Sequence, residues 1–397
     1  MVRPKALPGP VQGLLSHSQT PHEPMRPSMK TGQAPRTNLQ SVAGRPPRGA
    51  IALRAAAAFA VAVAAALSGG LAFEAQAAPA HDALRPAGVQ AAHIFSLWTV
   101  TLTVCSLVFA AVLIALLFAV ARAPRVSRDA SPDLGSLERP ERRVGRVVSG
   151  ASIASVVLLF GLLLADITTD RALSRLPVAD AVHLEMTGHQ WWWEARYAGD
   201  TPGSGFAVAN ELHVPVGRPV VISLKADDVI HTFWVPNLHG KKDMIPGRES
   251  TIEFRADRAG TYRGQCAEFC GLEHALMAFT VVAEPPAQYD AWVARQRMPA
   301  PQPVDALQAQ GERLFTTGNC AGCHTVRGTS ANGVIGPDLT HVMSRPMLAA
   351  ETFENTPANL ESWIKAPGSM KPGTTMPATQ LSAQDLNALI AWIRTLQ

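Results

Sequence analysis

The chain has 397 residues, of which 47% are hydrophobic and only 17% are charged. This length allows two or three domains, and the low proportion of charge favours a membrane-associated protein. The formal net charge of +4 is small, so the composition gives no indication of nucleic-acid binding. The five cysteines occur as one isolated residue and two close pairs, which indicates cofactor ligation rather than a disulfide framework.

Residues 1–77 are predicted to be a disordered basic arm followed by a signal peptide. Residues 1–50 are rich in Pro, Gly, Ser and basic side chains, and they hold too few apolar residues to bury a core. From Arg54 an apolar run leads to the small residues 75–77, which form an A-x-A cleavage pattern. A short membrane anchor is the alternative, but the run is about 13 residues long where about 20 are needed. The mature chain is expected to begin near Ala78.

Residues 78–175 are predicted to form a two-helix membrane hairpin. Apolar spans cover residues 94–121 and 147–165, and each is long enough to cross a bilayer. The loop between them carries seven arginines against four acids, which predicts that this loop is cytoplasmic. Everything after Asp166 is therefore expected outside the cytoplasm.

Residues 176–285 have the pattern of a small β-domain. Short runs rich in β-branched and aromatic residues, such as 183–197 and 211–226, are separated by turns with Gly or Pro. About 100 residues of this kind predict an antiparallel sandwich or barrel, and a cupredoxin-like sandwich fits them. Rigid strand ends of such a scaffold would hold metal ligands still.

One loop of this domain carries soft metal donors. Cys266, Cys270, His274 and Met277 follow the spacing C-x3-C-x3-H-x2-M, and His231 offers a second imidazole. Thiolate, imidazole and thioether donors favour copper over hard cations. Because two neighbouring thiolates can bridge two copper ions, the set predicts a binuclear centre of the CuA type. A disulfide or a zinc site is the alternative, but neither uses Met277 and His231.

Residues 286–303 are predicted to be a linker, in which a short helix precedes a Pro-rich spacer. Residues 304–397 are predicted to be an all-α cytochrome c domain, because CAGCH is the attachment motif of one covalent haem c. In this motif Cys320 and Cys323 form thioethers with the haem, and His324 is an axial ligand. Zinc knuckles also use C-x2-C, but no second pair follows here.

The metal-ligand segment, residues 266–277, resembles the copper loop of cytochrome c oxidase subunit II. Two further matches to that family are GHQWWW at 188–193 and DMIPGR at 243–248. With the membrane hairpin and the haem motif in the expected order, about residues 90–397 resemble the subunit II of caa3-type oxidases, which has a cytochrome c domain fused behind it.

This resemblance implies the electron-input subunit of a respiratory haem–copper terminal oxidase in the bacterial inner membrane. Electrons are expected to pass from cytochrome c through the chain's own haem c to CuA, and then to haem a in subunit I. That subunit would reduce oxygen to water with proton translocation. The chain alone is expected to act only as an electron-transfer protein.

The resemblance also implies roles for single residues of the β-domain. By its place after GHQ, Trp191 matches the aromatic residue through which electrons enter. Glu268 would face copper with its backbone carbonyl, and its carboxylate would help to hold a Mg or Mn ion shared with subunit I. Asp227 and Asp228 match an acidic surface that meets a basic partner.

In the cytochrome c domain, the resemblance helps to choose the sixth haem ligand. Met376 lies in GTTMPA, which resembles the distal segment of the family, whereas Met370 precedes Lys371. The charge of Lys371 is expected to prefer solvent to a haem pocket, so Met376 is the predicted ligand. The first and last helices of this family cross at a glycine–aromatic contact, for which the candidates are Gly311, Phe315 and Trp392.

The implied partners are subunits I and III, cytochrome c or another electron donor, and membrane lipid, with no nucleic acid. Glu138 or Glu141 stands near the family's proton-channel glutamate, although a solvated loop acid fits either. A CuA-dependent nitric oxide reductase remains an alternative, because only the partner subunit would differ. A nitrous oxide reductase would need a further histidine-rich domain, and a copper-delivery protein would need an incomplete ligand set.

Overall fold

The structure, a computed structural model, describes residues 81–123, 131, 135, 141–199, 201 and 204–397. The predicted arm and signal peptide lie outside these residues, as does Glu138. Within the described part the chain forms two long helices, a β-sandwich and a helical C-terminal region, in that order. This order agrees with the predicted fold class.

The two long helices have the length and composition of membrane spans. Helix α1 covers Val89–Arg122 and helix α2 covers Arg142–Leu173. They pack against each other, and their large apolar side chains are otherwise exposed, as expected where lipid is the solvent. Both helices are longer than the predicted apolar spans, because polar residues at their ends continue the helical backbone.

The first turn of α1 is bonded to the β-sandwich. The amide of Ala91 donates to the carbonyl oxygen of Leu238 over 3.2 Å, and the amide of Arg255 donates to Oε1 of Gln90 over 3.3 Å. Gly88 precedes the helix at a close approach, because a Cβ there would lie 2.7 Å from the carbonyl oxygen of Arg255. The membrane helix therefore starts directly on the sandwich.

The sandwich, called the β-domain below, has two facing sheets and a separate pair of short strands. The strands are β1 Val182–His189, β2 Trp192–Tyr197, β3 Phe206–Ala209, β4 Glu211–Pro215, β5 Pro219–Ala226, β6 His231–Phe233, β7 Lys242–Met244, β8 Ser250–Arg255, β9 Gly260–Gln265 and β10 Ala278–Glu284. One sheet has the order β3-β2-β1-β5-β8 and the other β4-β10-β9, while β6 pairs with β7. The sequence predicted antiparallel strands, but β1 pairs with β5 and β4 with β10 in parallel, because the chain changes sheets between them.

The core of the β-domain lies between these sheets. Along β5, Ile222 and Leu224 are buried and alternate with partly exposed residues, which places one face of the strand in the core. From the facing sheet, β10 contributes Phe279 and Val281. Strand β10 is buried along nearly its whole length, because the C-terminal region also contacts it.

Helix α3, Pro286–Gln296, occupies the start of the predicted linker and packs on the β-domain. The indole of Trp292 stacks on the imidazole of His213, with ring centroids 4.0 Å apart. At the end of α3, Nη2 of Arg327 donates to the carbonyl oxygen of Gln296 over 2.6 Å. The predicted short helix at the start of the linker is therefore packed on the β-domain, because the ring of Trp292 is buried there.

The C-terminal domain, residues 306–397, is helical and contains one short hairpin. Its helices and strands are α4 Ala306–Thr317, α5 Cys320–Cys323, β11 Met347–Leu348, β12 Phe353–Glu354, α6 Pro357–Lys365, α7 Pro367–Met370 and α8 Ala383–Ile393. Helices α4 and α8 cross at Gly311, where a Cβ would lie 2.1 Å from the carbonyl oxygen of Ala388. Beside this point the rings of Phe315 and Trp392 pack with centroids 5.2 Å apart. The predicted glycine–aromatic crossing is confirmed.

Candidate metal and haem sites

Strand pairing in the β-domain brings the predicted copper ligands together. Residues 266–277, called the metal loop below, connect the antiparallel neighbours β9 and β10. The amide of Cys266 donates to the carbonyl oxygen of Met277 over 3.0 Å, which closes the loop. His274 begins a 3-10 turn within the loop, and His231 begins strand β6 nearby.

Cys266 forms one half of the donor set. Its Sγ lies 3.8 Å from Nδ1 of His231 and 3.2 Å from the carbonyl oxygen of Glu268. The other ring nitrogen of His231 donates to Oδ1 of Asp228 over 2.8 Å, and this bond orients Nδ1 towards the sulfur. This half therefore offers a thiol, an imidazole and a carbonyl oxygen.

Cys270 forms the second half. Its Sγ lies 3.6 Å from Nδ1 of His274 and 3.7 Å from Sδ of Met277. The sulfur atoms of Cys266 and Cys270 are 3.8 Å apart and both cysteines are free, so no disulfide joins them. Two thiols between two imidazoles fit a pair of soft metal ions bridged by sulfur. A structural zinc ion takes four ligands and would leave donors of this set unused.

The two thiols are buried, and one of them ionises readily. The exposed fractions are 2% for Cys266 and 3% for Cys270. The hydrogen bond with Cys270 holds the pKa of the Cys266 thiol well below its usual value, and the same bond raises the pKa of Cys270. Because thiolates rather than thiols bind metals, the low pKa of Cys266 favours metal binding at neutral pH.

The outer surface of the metal loop is exposed and apolar. Phe269 is 75% exposed and Leu272 is 85% exposed. Glu268 is also exposed, although its carbonyl oxygen faces Cys266 in the interior. Large apolar side chains grouped on one exposed loop indicate a surface that another protein covers.

Trp191 covers the inner side of the metal loop. Its Nε1 donates to the carbonyl oxygen of Cys270 over 3.0 Å, and Nε2 of Gln190 donates to the same oxygen over 2.7 Å. Gly271 makes this approach possible, because a Cβ there would lie 2.9 Å from Cζ2 of Trp191. The sequence reasoning missed Gly271, for which the signal was a glycine directly after the second cysteine. Trp193 differs from Trp191, since it is fully buried in the core.

A cavity of the C-terminal domain contains the haem motif. Cys320, Cys323 and His324 line this cavity, and Met376 lines it as well. Nδ1 of His324 donates to the carbonyl oxygen of Pro337 over 2.8 Å, which leaves Nε2 to bind iron. Apolar side chains of α4, α6 and α8 complete the walls. Two thiols, an imidazole and a thioether around one apolar cavity fit a covalently attached haem.

The cavity discriminates between the candidate axial ligands. Among the described residues, those that line it include neither Met370 nor His341, and both ring nitrogens of His341 are bonded to backbone carbonyls. Lys371, in contrast, lines the cavity and is only 3% exposed. The expectation that its charge would lie in solvent is wrong, because Glu273 of the metal loop pairs with it over 3.1 Å.

The haem cavity also reaches the β-domain. Gln190, Trp191 and Trp192 form part of its wall. The residue predicted to accept electrons therefore lies between the haem cavity and the metal loop. Trp191 contacts the cavity with its own surface and the backbone of Cys270 with its indole nitrogen.

Two family models match the chain. The first, "Cytochrome C oxidase subunit II, periplasmic domain", matches residues 199–284, and the second, "Cytochrome c", matches residues 308–397. Cytochrome c oxidase subunit 2 of Bacillus subtilis is 32% identical over 252 residues, which are 61% of this chain and 69% of that protein. The chain belongs to the cytochrome c oxidase subunit 2 family.

One further relative and one solved structure are similar to parts of the chain. Cytochrome c oxidase subunit 2 of Alkalihalophilus pseudofirmus is 40% identical over 219 residues, which are 55% of this chain and 62% of that relative. The chain thus spans less than two thirds of the length of that subunit 2. The solved structure is the crystal structure of the periplasmic domain of subunit II of cytochrome oxidase from Bradyrhizobium japonicum. Its sequence is 30% identical, the match covers 30% of this chain and 97% of the Bradyrhizobium chain, and the TM-score is 0.28.

A subunit 2 domain followed by a cytochrome c domain implies copper and haem c as cofactors, and both donor sets described above fit them. The two apolar helices are the membrane anchor of this subunit 2 chain, and the matched β-domain is periplasmic in its family. Asp227 and Asp228, which were predicted to form an acidic surface, lie in different surroundings. Asp227 has an exposed side chain, whereas Asp228 is bonded to His231 behind the metal donors.

Proposed function

We propose that the chain is the electron-input subunit of a respiratory haem–copper terminal oxidase. The single observation behind this proposal is the position of Trp191. It lines the haem cavity and donates a hydrogen bond to the carbonyl oxygen of Cys270 in the metal loop. One side chain that lines the haem cavity and is bonded to the metal loop supports electron transfer between the two sites.

In this proposal Trp191 would lie between the haem site, which would accept an electron from cytochrome c or another donor, and the copper site, which would pass it to haem a in subunit I. Oxygen is reduced there to water with proton translocation. The bound cofactors supply reversible one-electron chemistry. The chain holds them between short, bonded loops, so that their ligands move little when the charge changes. No oxygen reduction is expected of the chain alone.

The proposed copper site uses every donor that the metal loop and β6 bring together. Its ligands are His231, Cys266, the carbonyl oxygen of Glu268, Cys270, His274 and Met277. Burial of the thiols excludes water from the centre, and Asp228 keeps the ring of His231 in the ligating orientation.

The proposed haem site holds one covalent haem c. Cys320 and Cys323 would form the two thioether bonds, and His324 would bind iron through Nε2. Met376 would bind on the opposite face. The carbonyl of Pro337 fixes the tautomer of His324 by accepting from Nδ1, which keeps the ligating nitrogen free of a proton.

The exposed surface of the metal loop is proposed to face subunit I. Phe269 and Leu272 supply its apolar contact, and the Glu268 carboxylate beside them would hold a Mg or Mn ion together with that subunit. Subunit III, membrane lipid and cytochrome c or another donor complete the proposed set of partners.

The proposed location is the bacterial inner membrane, with two spans and both the β-domain and the C-terminal domain on the periplasmic side. This orientation rests on the arginines between the spans. Cleavage near Ala78 would release the arm and the signal peptide. Glu141, directly before α2, is exposed and fits either a proton-channel acid or a solvated loop acid.

The cofactor assignment is tested on the full-length chain in detergent. We expect two copper ions and one haem per chain, with an electron-spin signal delocalised over two copper nuclei. Cys270→Ser should abolish this signal, whereas Cys105→Ser in α1, which changes an exposed cysteine, should leave it intact. One copper ion per chain, or a signal from a single nucleus, would contradict the binuclear site.

The partner is tested by purifying the chain from native membranes through an affinity tag. We expect a polytopic subunit with haem a and copper to co-purify and the complex to consume oxygen. Consumption of nitric oxide without oxygen consumption would instead identify a nitric oxide reductase that shares this electron-input subunit.

A further inference from the structure

A buried lysine joins the C-terminal domain to the β-domain. Nζ of Lys371 lies 3.1 Å from Oε2 of Glu273, 3.2 Å from the carbonyl oxygen of Trp191 and 3.3 Å from the carbonyl oxygen of Ala349. An ammonium group has three hydrogen-bond donors, so these three acceptors use all of them. The first two acceptors belong to the β-domain and the third to the C-terminal domain.

The geometry of this contact tolerates little displacement. Lys371 is 3% exposed and Glu273 is 2% exposed, so water does not replace a lost partner. A buried ion pair adds little net stability, but separating one charge from its partner inside a protein is costly. A small shift of either domain would therefore separate the ammonium group from its two acceptors in the β-domain.

The ion pair lies between the two segments that carry metal donors. Glu273 directly precedes His274, and its lysine partner lies in the loop that leads to Met376. Gly373 of this loop adopts a φ of +106° and packs on the metal loop, because a Cβ there would lie 3.3 Å from Cβ of Leu272. The loop of the sixth haem ligand thus rests directly on the metal loop.

A second contact lies beside the first and involves strand β10. The amide of Ala278 donates to the carbonyl oxygen of Ala350 over 3.4 Å. The carboxyl group of Glu351 lies near the hydroxyl group of Thr280 on the same strand. Ala350 and Glu351 directly follow Ala349, whose carbonyl oxygen accepts from Lys371, so this second contact adjoins the ion pair.

We propose that Lys371 is a positioning residue that holds the haem-binding domain on the metal loop in one fixed orientation. Electron transfer from haem to copper then takes place within a permanent contact, without a swing of the C-terminal domain on its linker. The electron-transfer part of this inference rests on the proposed function, whereas the docking of the two domains does not.

The docking is tested by cutting the linker of the full-length chain. A protease site replaces residues 301–303, and the chain, loaded with copper and haem, is cleaved in detergent. We expect the C-terminal fragment of the parent to remain bound to the rest of the chain. Lys371→Met should raise the dissociation constant of this fragment by at least about tenfold, because it leaves Glu273 unpaired in the interior.

The matched control is Lys365→Met, which removes an exposed lysine of the same domain that pairs with Glu361 over 3.6 Å. This variant should bind its fragment like the parent, and Lys371→Arg should recover part of the affinity that Lys371→Met loses. If Lys371→Met prevents haem attachment, Lys371→Gln is compared instead. A fragment that binds equally tightly without the lysine would overturn the proposal.

A kinetic readout separates positioning from folding. After photoreduction of the haem in the uncut chain, transfer to copper should be independent of solvent viscosity in the parent. In Lys371→Met it should become slower and viscosity-dependent, with unchanged spectra of both cofactors. An unchanged rate in this variant would overturn the positioning role. A parent that stays docked but transfers no electrons would instead contradict the proposed function.

Discussion

The indole nitrogen of Trp191 and the carbonyl oxygen of Cys270 are joined by a hydrogen bond of 3.0 Å. The same tryptophan forms part of the wall of the haem cavity. A single side chain therefore connects the surroundings of the two donor sets, and its ring and its hydrogen bond can be tested separately.

Replacing Trp191 by alanine is expected to slow haem-to-copper electron transfer, because it removes the ring that lies between the haem cavity and the metal loop. The expected loss is roughly a hundredfold, the size that imperfect positioning of reacting groups can cause. Trp191→Phe keeps an aromatic ring but removes the donor to Cys270, so its rate should lie between those of Trp191→Ala and the parent. Stopped-flow reduction, followed at the absorption bands of both cofactors, measures the rate.

The control for this experiment is Trp234→Ala, which removes a tryptophan whose ring packs on His81 with centroids 5.1 Å apart. This variant should transfer electrons at the rate of the parent. An unchanged rate in Trp191→Ala would show that Trp191 only packs, and a loss of copper would require the comparison to rely on Trp191→Phe.

Met376→Ala is expected to lower the reduction potential of the haem and to let the iron bind carbon monoxide. A thioether ligand stabilises ferrous over ferric iron, and its loss opens a coordination position. Met370→Ala should behave like the parent, because Met370 is absent from the described residues that line the cavity. Redox titration and carbon monoxide difference spectra check both variants; the reverse pattern would assign the ligand to Met370.

Gly311→Ala should destabilise the C-terminal domain by about 1–3 kcal/mol, which is the usual cost of forcing an extra group into a packed contact. The new Cβ would lie 2.1 Å from the carbonyl oxygen of Ala388, so α4 and α8 would have to separate. The control is Gly368→Ala, where a Cβ meets nothing within 4 Å. Denaturant unfolding followed by haem absorbance measures both, and equal stability of the two variants would contradict the tight crossing.

Glu351→Gln should stabilise the docked C-terminal domain above pH 7 and change little near pH 4.5. Burial raises the pKa of Glu351 from 4.5 to about 7. Between these values the folded chain retains a proton that the unfolded chain has lost, so the contribution of this residue to stability falls as the pH rises through this window. Glu351→Gln removes this dependence.

Melting temperatures at pH 5 and pH 8 test this expectation. The control is Glu361→Gln, which changes an acid with a side chain that is 50% exposed. A melting temperature that falls equally with pH in the parent and in Glu351→Gln would show that Glu351 is not responsible for the loss.

Features that depend on short stretches of the chain could be predicted from the sequence. Thiols four residues apart with a histidine and a methionine behind them must share one loop, and the haem motif is a local pattern. The burial of Lys371 could not be predicted, because Glu273, Trp191 and Ala349 reach it only once the two domains are docked. From its charge alone, Lys371 was expected to lie in solvent.

Two further features escaped prediction for the same reason. The need for a glycine at position 271 could not be recognised from the sequence, because it arises from the close approach of Trp191. The role of Trp292 in α3 depends on His213, which lies far away in the chain and provides the ring on which the indole stacks. Both depend on contacts between distant segments, and local patterns do not encode such contacts.

The start of α1 has a mechanical consequence. Its first turn is bonded to Leu238 and Arg255 while the helix already runs towards the membrane, so the junction is stiff. A bilayer of different thickness changes the tilt of a spanning helix. Because the junction is stiff, a change in this tilt would be passed on to the β-domain. It would change the height and the angle of the metal loop relative to the membrane surface.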